Sequence, residues 1–183
     1  MRKFLLLIIF SGLLFLNGCV KNISNVDIQT LNQKAAEYME KGEYDKAIAR
    51  LESILDLNAD FPETHYNLGV AYYQSNDYEN ALSALNEAIK RREKFAEAYY
   101  SRAVVYEDWA YSLIEGENID AQATVMAPSN QEKEVSVEYL KNAKADFEKY
   151  LELKKDAEDK DDIHEKIIQI DNELGNANSE FEE

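Results

Sequence analysis

Residues 62–89 read PETHYNLGVAYYQSNDYENALSALNEAI, and this stretch decides the fold. Leu68, Gly69 and Tyr72 fall on one face of a helix that Pro62 can open, since a first helical position needs no backbone donor. Tyr78, Ala81, Leu85, Ala88 and Ile89 fall on one face of a second helix. Spacings of i, i+3, i+4 and i+7 are those of a helix buried along one side. Ser75-Asn76-Asp77 separates the two with residues that favour turns over helix interiors.

The same marks return every 34 residues on either side. Ala35, Gly69 and Ala103 share that spacing, and so do Tyr38, Tyr72 and Tyr106. In the second helices Tyr44 pairs with Tyr78, Ala47 with Ala81 and Leu51 with Leu85. A fixed period of this length marks helix–turn–helix units that stack to bury one continuous core. The small residues let paired helices approach closely, and the tyrosines fill the space between them. Only 6 Gly and 2 Pro occur, so little in the composition opposes helices.

The pattern of Leu68-Gly69, Tyr72, Ala81, Leu85 and Ala88 resembles the tetratricopeptide repeat (TPR) family. The resemblance covers about residues 28–174. It implies an all-α TPR-type α-solenoid of three helix pairs, the third elongated by an insertion, closed by a C-terminal capping helix. Unit 1 spans 28–61, with Asp27 as its N-cap and Lys41-Gly42-Glu43 as its turn. Unit 2 spans 62–95 and unit 3 spans 96–153. In unit 3 the second-helix alanine, Ala143, comes 28 residues later than the period requires. Tyr106, Ala110 and Leu113 carry the first helix on to about Glu115, and Val135 and Tyr139 extend the second backwards. The remaining insertion, about 116–130, reads as a polar hairpin loop. Residues 154–162 form a charged link, and Ile163, Ile167, Ile170 and Leu174 mark the capping helix. Gly175 is expected to stop that helix and to leave 175–183 as a disordered acidic tail.

The N-terminus stands apart from the repeats. Arg2 and Lys3 precede an apolar run from Phe4 to Leu16, which fits a secretory signal peptide and is short for a membrane span. The run ends Leu16-Asn17-Gly18-Cys19, which resembles a bacterial lipobox. That resemblance implies removal of residues 1–18, lipid on the sulfur of Cys19, and a tether over 19–27. It places the protein in the bacterial cell envelope, exported and lipid-anchored, facing the periplasm from the outer membrane in a two-membrane host. Two or more acyl chains on the cysteine would hold it firmly, since each buried methylene contributes about 0.8 kcal/mol. As the sole cysteine, Cys19 has no disulfide partner within the chain.

Cleavage after Gly18 would take the net charge from −16 to −18. Such acidity opposes binding to nucleic acid or to anionic lipid, which both need Lys and Arg. Catalysis finds no footing either. His65 and His164 lie in different units, no phosphate-binding Gly loop is present, and no Gly-x-Ser-x-Gly turn occurs. Asp156 to Asp162 lacks the central Gly and spaced Glu of a calcium loop. The reading is a non-enzyme without metal or cofactor.

In TPR domains the first helices of successive units line a concave groove that holds partners. Mapped onto this sequence, the groove candidates are Tyr66, Val70, Tyr73, Glu97, Tyr100, Val104, Glu107 and Asp108. Rigid tyrosines provide contact area at low entropic cost; alternatively, these rings pack on one another or on the inserted hairpin. With Glu63, the acids would edge the groove and favour a basic or amphipathic segment. Relatives that clamp a chaperone's terminal carboxylate use Lys, Arg and Asn there; the corresponding residues are Asn32, Ala36, Asn67, Glu97 and Ser101, and only Asn67 suits that role. The first functional reading is therefore an envelope scaffold for a partner protein. The second is a small-molecule or peptide-binding accessory of a transport system, with a pocket beside the hairpin near Trp109 and Tyr111. The third is self-association through the hairpin.

Overall fold

The computed structural model describes residues 25–56, 61–115 and 128–180. The signal-peptide reading, Cys19, the tether before residue 25, most of the insertion and the last three residues lie outside the described residues. Seven helices and no strands occur among the described residues. They form three antiparallel pairs and a capping helix, a TPR-like solenoid.

Helix α1 (Asn25–Glu40) starts two residues before Asp27, so Asp27 lies inside the helix rather than at its cap. It pairs with α2 (Tyr44–Asp56). Between them Gly42 adopts φ +70°, and the Glu43 amide donates to the Tyr38 carbonyl at 2.9 Å. Helix α3 (Pro62–Gln74) pairs with α4 (Tyr78–Arg91) through the same device. Asn76 stands at φ 61°, and the Asp77 amide donates to the Tyr72 carbonyl at 2.9 Å. Both turns thus close with a left-handed residue and an amide reaching five residues back. Gly and Asn are the two residue types that enter this conformation at least cost.

Helix α5 (Ala96–Glu115) and α6 (Asn130–Leu153) make the long third pair. At 20 and 24 residues they run about 30 and 36 Å, against about 20 Å for α2 to α4. A capping box starts α6: the Glu132 amide donates to Ser129 Oγ at 3.2 Å, and the Ser129 amide donates to Glu132 Oε2 at 2.7 Å. Helix α7 (Lys160–Glu180) begins inside the stretch read as a charged link.

Gly175 does not end α7, which continues to Glu180, so residues 175–180 are helix and not a disordered tail. A helix-stopping glycine takes a positive φ, and Gly175 does not. Inside a helix its cost relative to Ala is about 1 kcal/mol, too small to halt a helix that Ile163 and Ile170 hold in the core.

The core runs the length of the stack in three connected layers. Ala35, Ala47, Leu51 and Ile54 pack with Leu68 and Ala71. Ala81, Leu85 and Ala88 pack with Ala98 and Val105. Ala103, Ala143 and Phe147 pack with Ile163 and Ile170 of the cap. The repeated alanines at 35, 47, 81, 103 and 143 are completely buried. At Gly69 the approach is closest: a Cβ there would lie 2.5 Å from Leu85 Cγ and 3.2 Å from the Ala81 carbonyl oxygen. Across α5 and α6, Arg102 Nε and Nη2 each donate to an oxygen of buried Asp146 at 2.7 Å.

Candidate functional site

The 34-residue period sets α3 and α5 side by side with equivalent faces exposed. Residues 35 apart meet across neighbouring first helices. Asn67 Nδ2 donates to Asn32 Oδ1 at 3.5 Å, and the Tyr73 hydroxyl donates to Asp108. Between α3 and α5 lies a cleft of about 170 Å³. Tyr66, Val70, Tyr73 and Gln74 form one wall; Tyr100, Ser101 and Val104 form the other. Leu85, from α4, lies at its floor beside Gly69. Five of the eight groove residues read from the sequence therefore come together here.

Each cleft tyrosine is half-buried and braced by another ring. Tyr66 packs on Phe95 at 5.1 Å, and Tyr73 on Tyr78 at 6.3 Å. Tyr100 meets Phe147 at 5.9 Å and Tyr150 at 5.3 Å. The two readings of these side chains thus combine: one side of each ring packs inward and the remainder lines the cleft. Burial, then the hydrogen bond to Asp108, pushes the Tyr73 phenol far above its ordinary value, so it stays a neutral donor. The braced rings lose little freedom when a ligand arrives.

None of the four acids is among the residues lining the cleft, and each has a partner within the chain. Glu63 pairs with Arg92. Glu97 pairs with Lys154 at 2.7 Å. Glu107 is only 4% exposed and receives Lys166 of α7 at 2.7 Å. Asp108 accepts from Tyr73. The Lys154 hydrogen bond holds Glu97 below the ordinary carboxylate value. For Glu63 burial pushes upward, but the Arg92 hydrogen bond and its own backbone amide together outweigh it. The Arg92 and Lys166 partners lie 29 and 59 residues away in sequence, beyond the reach of any local pattern.

Trp109 belongs to the interior of the long hairpin, between α5 and α6. It stacks with Tyr78 at 5.8 Å and meets Tyr139 at a tilt at 4.7 Å. Tyr111 instead reaches α7, its hydroxyl donating to Glu173 Oε1 at 3.0 Å. It lines a second concavity at the hairpin's far end, which Glu173, Lys133 and Ser136 complete; of Trp109 and Tyr111, the two residues beside which the sequence placed a pocket, Tyr111 lines it and Trp109 does not.

Family models agree with this architecture. One described as TPR repeat matches residues 35–75, and one described as Tetratricopeptide repeat matches residues 62–95. The chain therefore carries tetratricopeptide repeats over that region. No curated protein matches the sequence. Among solved structures, the first TPR domain of Spaghetti (RPAP3), bound to an HSP90 peptide, is 20% identical with a TM-score of 0.60. That alignment covers 83% of this chain and 96% of the other. The Sgt2 TPR domain from Aspergillus fumigatus is 18% identical with a TM-score of 0.59, covering 82% of this chain and 81% of that one. The second TPR domain of human RPAP3, in complex with an HSP70 peptide, is 16% identical with a TM-score of 0.54, covering 78% and 93%. At such identity the likeness is one of fold.

Proposed function

We propose that this protein is a lipid-anchored scaffold of the bacterial cell envelope that holds a segment of a partner protein in the cleft between α3 and α5. The observation that carries the reading is the half-buried stripe of Tyr66, Val70, Tyr73, Tyr100 and Val104, braced from behind and open to solvent. Such a surface binds by contact area and a few hydroxyls, and it performs no chemistry of its own. TPR domains of the same fold hold HSP90 and HSP70 peptides. The anchor rests on Leu16-Asn17-Gly18-Cys19 after the apolar run. With lipid on Cys19, the acidic body would stand off an anionic surface and face partners in the adjoining compartment.

The cleft favours an amphipathic segment with an apolar or aromatic residue directed between Tyr66 and Tyr100. A terminal carboxylate is a poor fit, because Asn67 is engaged with Asn32 and the neighbouring charge is that of Glu97. The overall negative charge adds a preference for basic flanks.

Photo-crosslinking in intact cells tests this. A photoreactive residue in place of Gln74, exposed at the cleft, is expected to capture one envelope protein in near-stoichiometric amount. The same residue at Lys90, exposed on α4, is expected not to. Tyr66→Ala with Tyr73→Ala should abolish the capture while helicity persists. Equal capture from both positions, or capture that survives the double substitution, sinks the cleft reading. A protein recovered in the aqueous phase without lipid on Cys19 sinks the anchor.

A further inference from the structure

The cleft between α3 and α5 has a narrower chemical character than its apolar stripe alone conveys. No residue that lines it is ionised at neutral pH. Val70, Leu85, Val104 and Val105 give it apolar walls, and its polar atoms come from the tyrosines, Ser101 and Gln74.

Two of those polar groups are already engaged. The Tyr73 hydroxyl donates to Asp108, and Gln74 Oε1 accepts from the Tyr44 hydroxyl at 3.5 Å. The hydroxyls of Tyr66, Tyr100 and Ser101 differ. They make no hydrogen bond among the described residues, and none of the three oxygens is sealed from solvent, so a ligand can reach them. Each can both donate and accept. A charged group drawn into this cleft would give up water and meet no opposite charge, which is costly. A neutral amide exchanges its water for these hydroxyls, and each bond made is worth about two- to tenfold in affinity.

Size limits the apolar part of the ligand. An apolar cavity of about 150 Å³ holds one benzene molecule. The cleft, at about 170 Å³, takes one ring of that size, set among tyrosine rings that other rings already brace. We infer that the cleft is a socket for one phenylalanine side chain of an uncharged stretch of polypeptide, whose backbone amides bond the hydroxyls of Tyr66, Tyr100 and Ser101. This rests on the reading of the cleft as a partner's seat and names the chemistry of the segment that sits there. Charges on the partner lie outside the socket.

The probe is the capped tripeptide N-acetyl-Ala-Phe-Ala-amide. It is titrated into the full chain in a nonionic detergent, followed by NMR chemical-shift changes, with protein-free micelles as the blank. Saturable shifts on α3 and α5 are expected. The same peptide with Lys or Ala in place of its Phe should bind about tenfold more weakly or worse. Tyr66→Phe with Tyr100→Phe keeps both rings and removes both hydroxyls, so affinity should fall about fivefold or more. Ser101→Ala, which touches no ring, should cost about twofold or more and serves should the double variant fail to fold by circular dichroism. Tyr99→Phe removes a hydroxyl from α5 outside the cleft and should bind as the parent does. The inference is overturned by no saturable binding into the millimolar range, by equal binding of the Lys peptide, or by unchanged affinity in the hydroxyl-deleted variants. Should the peptide fail while the photoreactive residue at position 74 still captures a protein, this inference falls and the cleft reading stands; failure of both removes both.

Discussion

Gly69→Ala adds one methyl group at the tightest point between α3 and α4. The new carbon would stand 2.5 Å from Leu85 Cγ, 2.9 Å from Leu85 Cδ2 and 3.2 Å from the Ala81 carbonyl oxygen. The nearest atom is the branch point of a completely buried leucine, and behind it is backbone, so neither can swing away. Overpacking of this kind costs about 1–3 kcal/mol. Alanine's better helix propensity offsets about 0.5–1 kcal/mol. The net expectation is a loss of about 1–2 kcal/mol, or about 2–8 °C in Tm for a chain of this size. Thermal unfolding followed by circular dichroism at the helical band reads it. Gly175→Ala is the internal control: it is helical and exposed, and a Cβ there meets nothing within 4 Å. It should gain about 0.5–1 kcal/mol from propensity alone. Leu85→Ala relieves the crowding, so adding Gly69→Ala to it should cost less than in the parent, by more than about 0.5 kcal/mol in a double-mutant cycle. Equal stabilisation by both glycine substitutions would refute the close-approach account of position 69.

Arg102→Ala leaves Asp146 buried without its bidentate partner and should destabilise by about 3–5 kcal/mol, read as a fall in the urea midpoint. An effect under about 1 kcal/mol would place the pair among ordinary surface bridges. Alkaline pH gives a second test. Burial, followed by hydrogen bonds to Glu52 and Asp159, pushes Tyr72 and Tyr150 up to about 12. An unfolded tyrosine ionises near 10, so their contribution is complete below about pH 10 and is lost as pH rises towards 12. Phenolate absorbance should therefore rise in at least two stages, the later one accompanied by loss of helicity. A single step near pH 10 with helices intact would contradict the burial of these rings.

The fold was legible because its determinants are local and repeat. A small residue at 35, 69 and 103 and an aromatic at 38, 72 and 106 state the helix contacts directly. The two turns were legible for the same reason, since Gly42 and Asn76 occupy equivalent places and meet the same conformational demand. The long hairpin could be read from Tyr106, Ala110 and Leu113 on one side and Val135 and Tyr139 on the other. The apolar half of the cleft followed from the period. The state of its acids did not, because Arg92 and Lys154 come from the ends of second helices and Lys166 from the cap, at spacings that no repeat sets. Gly175 misled because residue type alone does not disclose φ: the same residue closes a helix at position 42 and rides within one at position 175.

The pairing of those acids changes how a partner would be selected. A cleft edged by free carboxylates would attract cations at long range and lose affinity steeply with salt. Here Glu63, Glu97 and Glu107 are held by the chain's own cations and Asp108 accepts from Tyr73, so on the proposed reading a partner's contact inside the cleft would be largely apolar. The remaining negative charge is spread over the surface and acts on encounter rates more than on the bound state. The elongated third pair extends the same division of labour. In the 34-residue frame, α3 from Pro62 to Gln74 corresponds to residues 96–108, so Trp109, Tyr111 and Ile114 are additions to the repeat. Trp109 ties that addition back to Tyr78 of the second unit, leaving Tyr111 to meet Glu173 of the cap. The insertion thereby gives the chain a second concavity, lined by Tyr111, Ile114, Lys133 and Glu173, that shares no lining residue with the first.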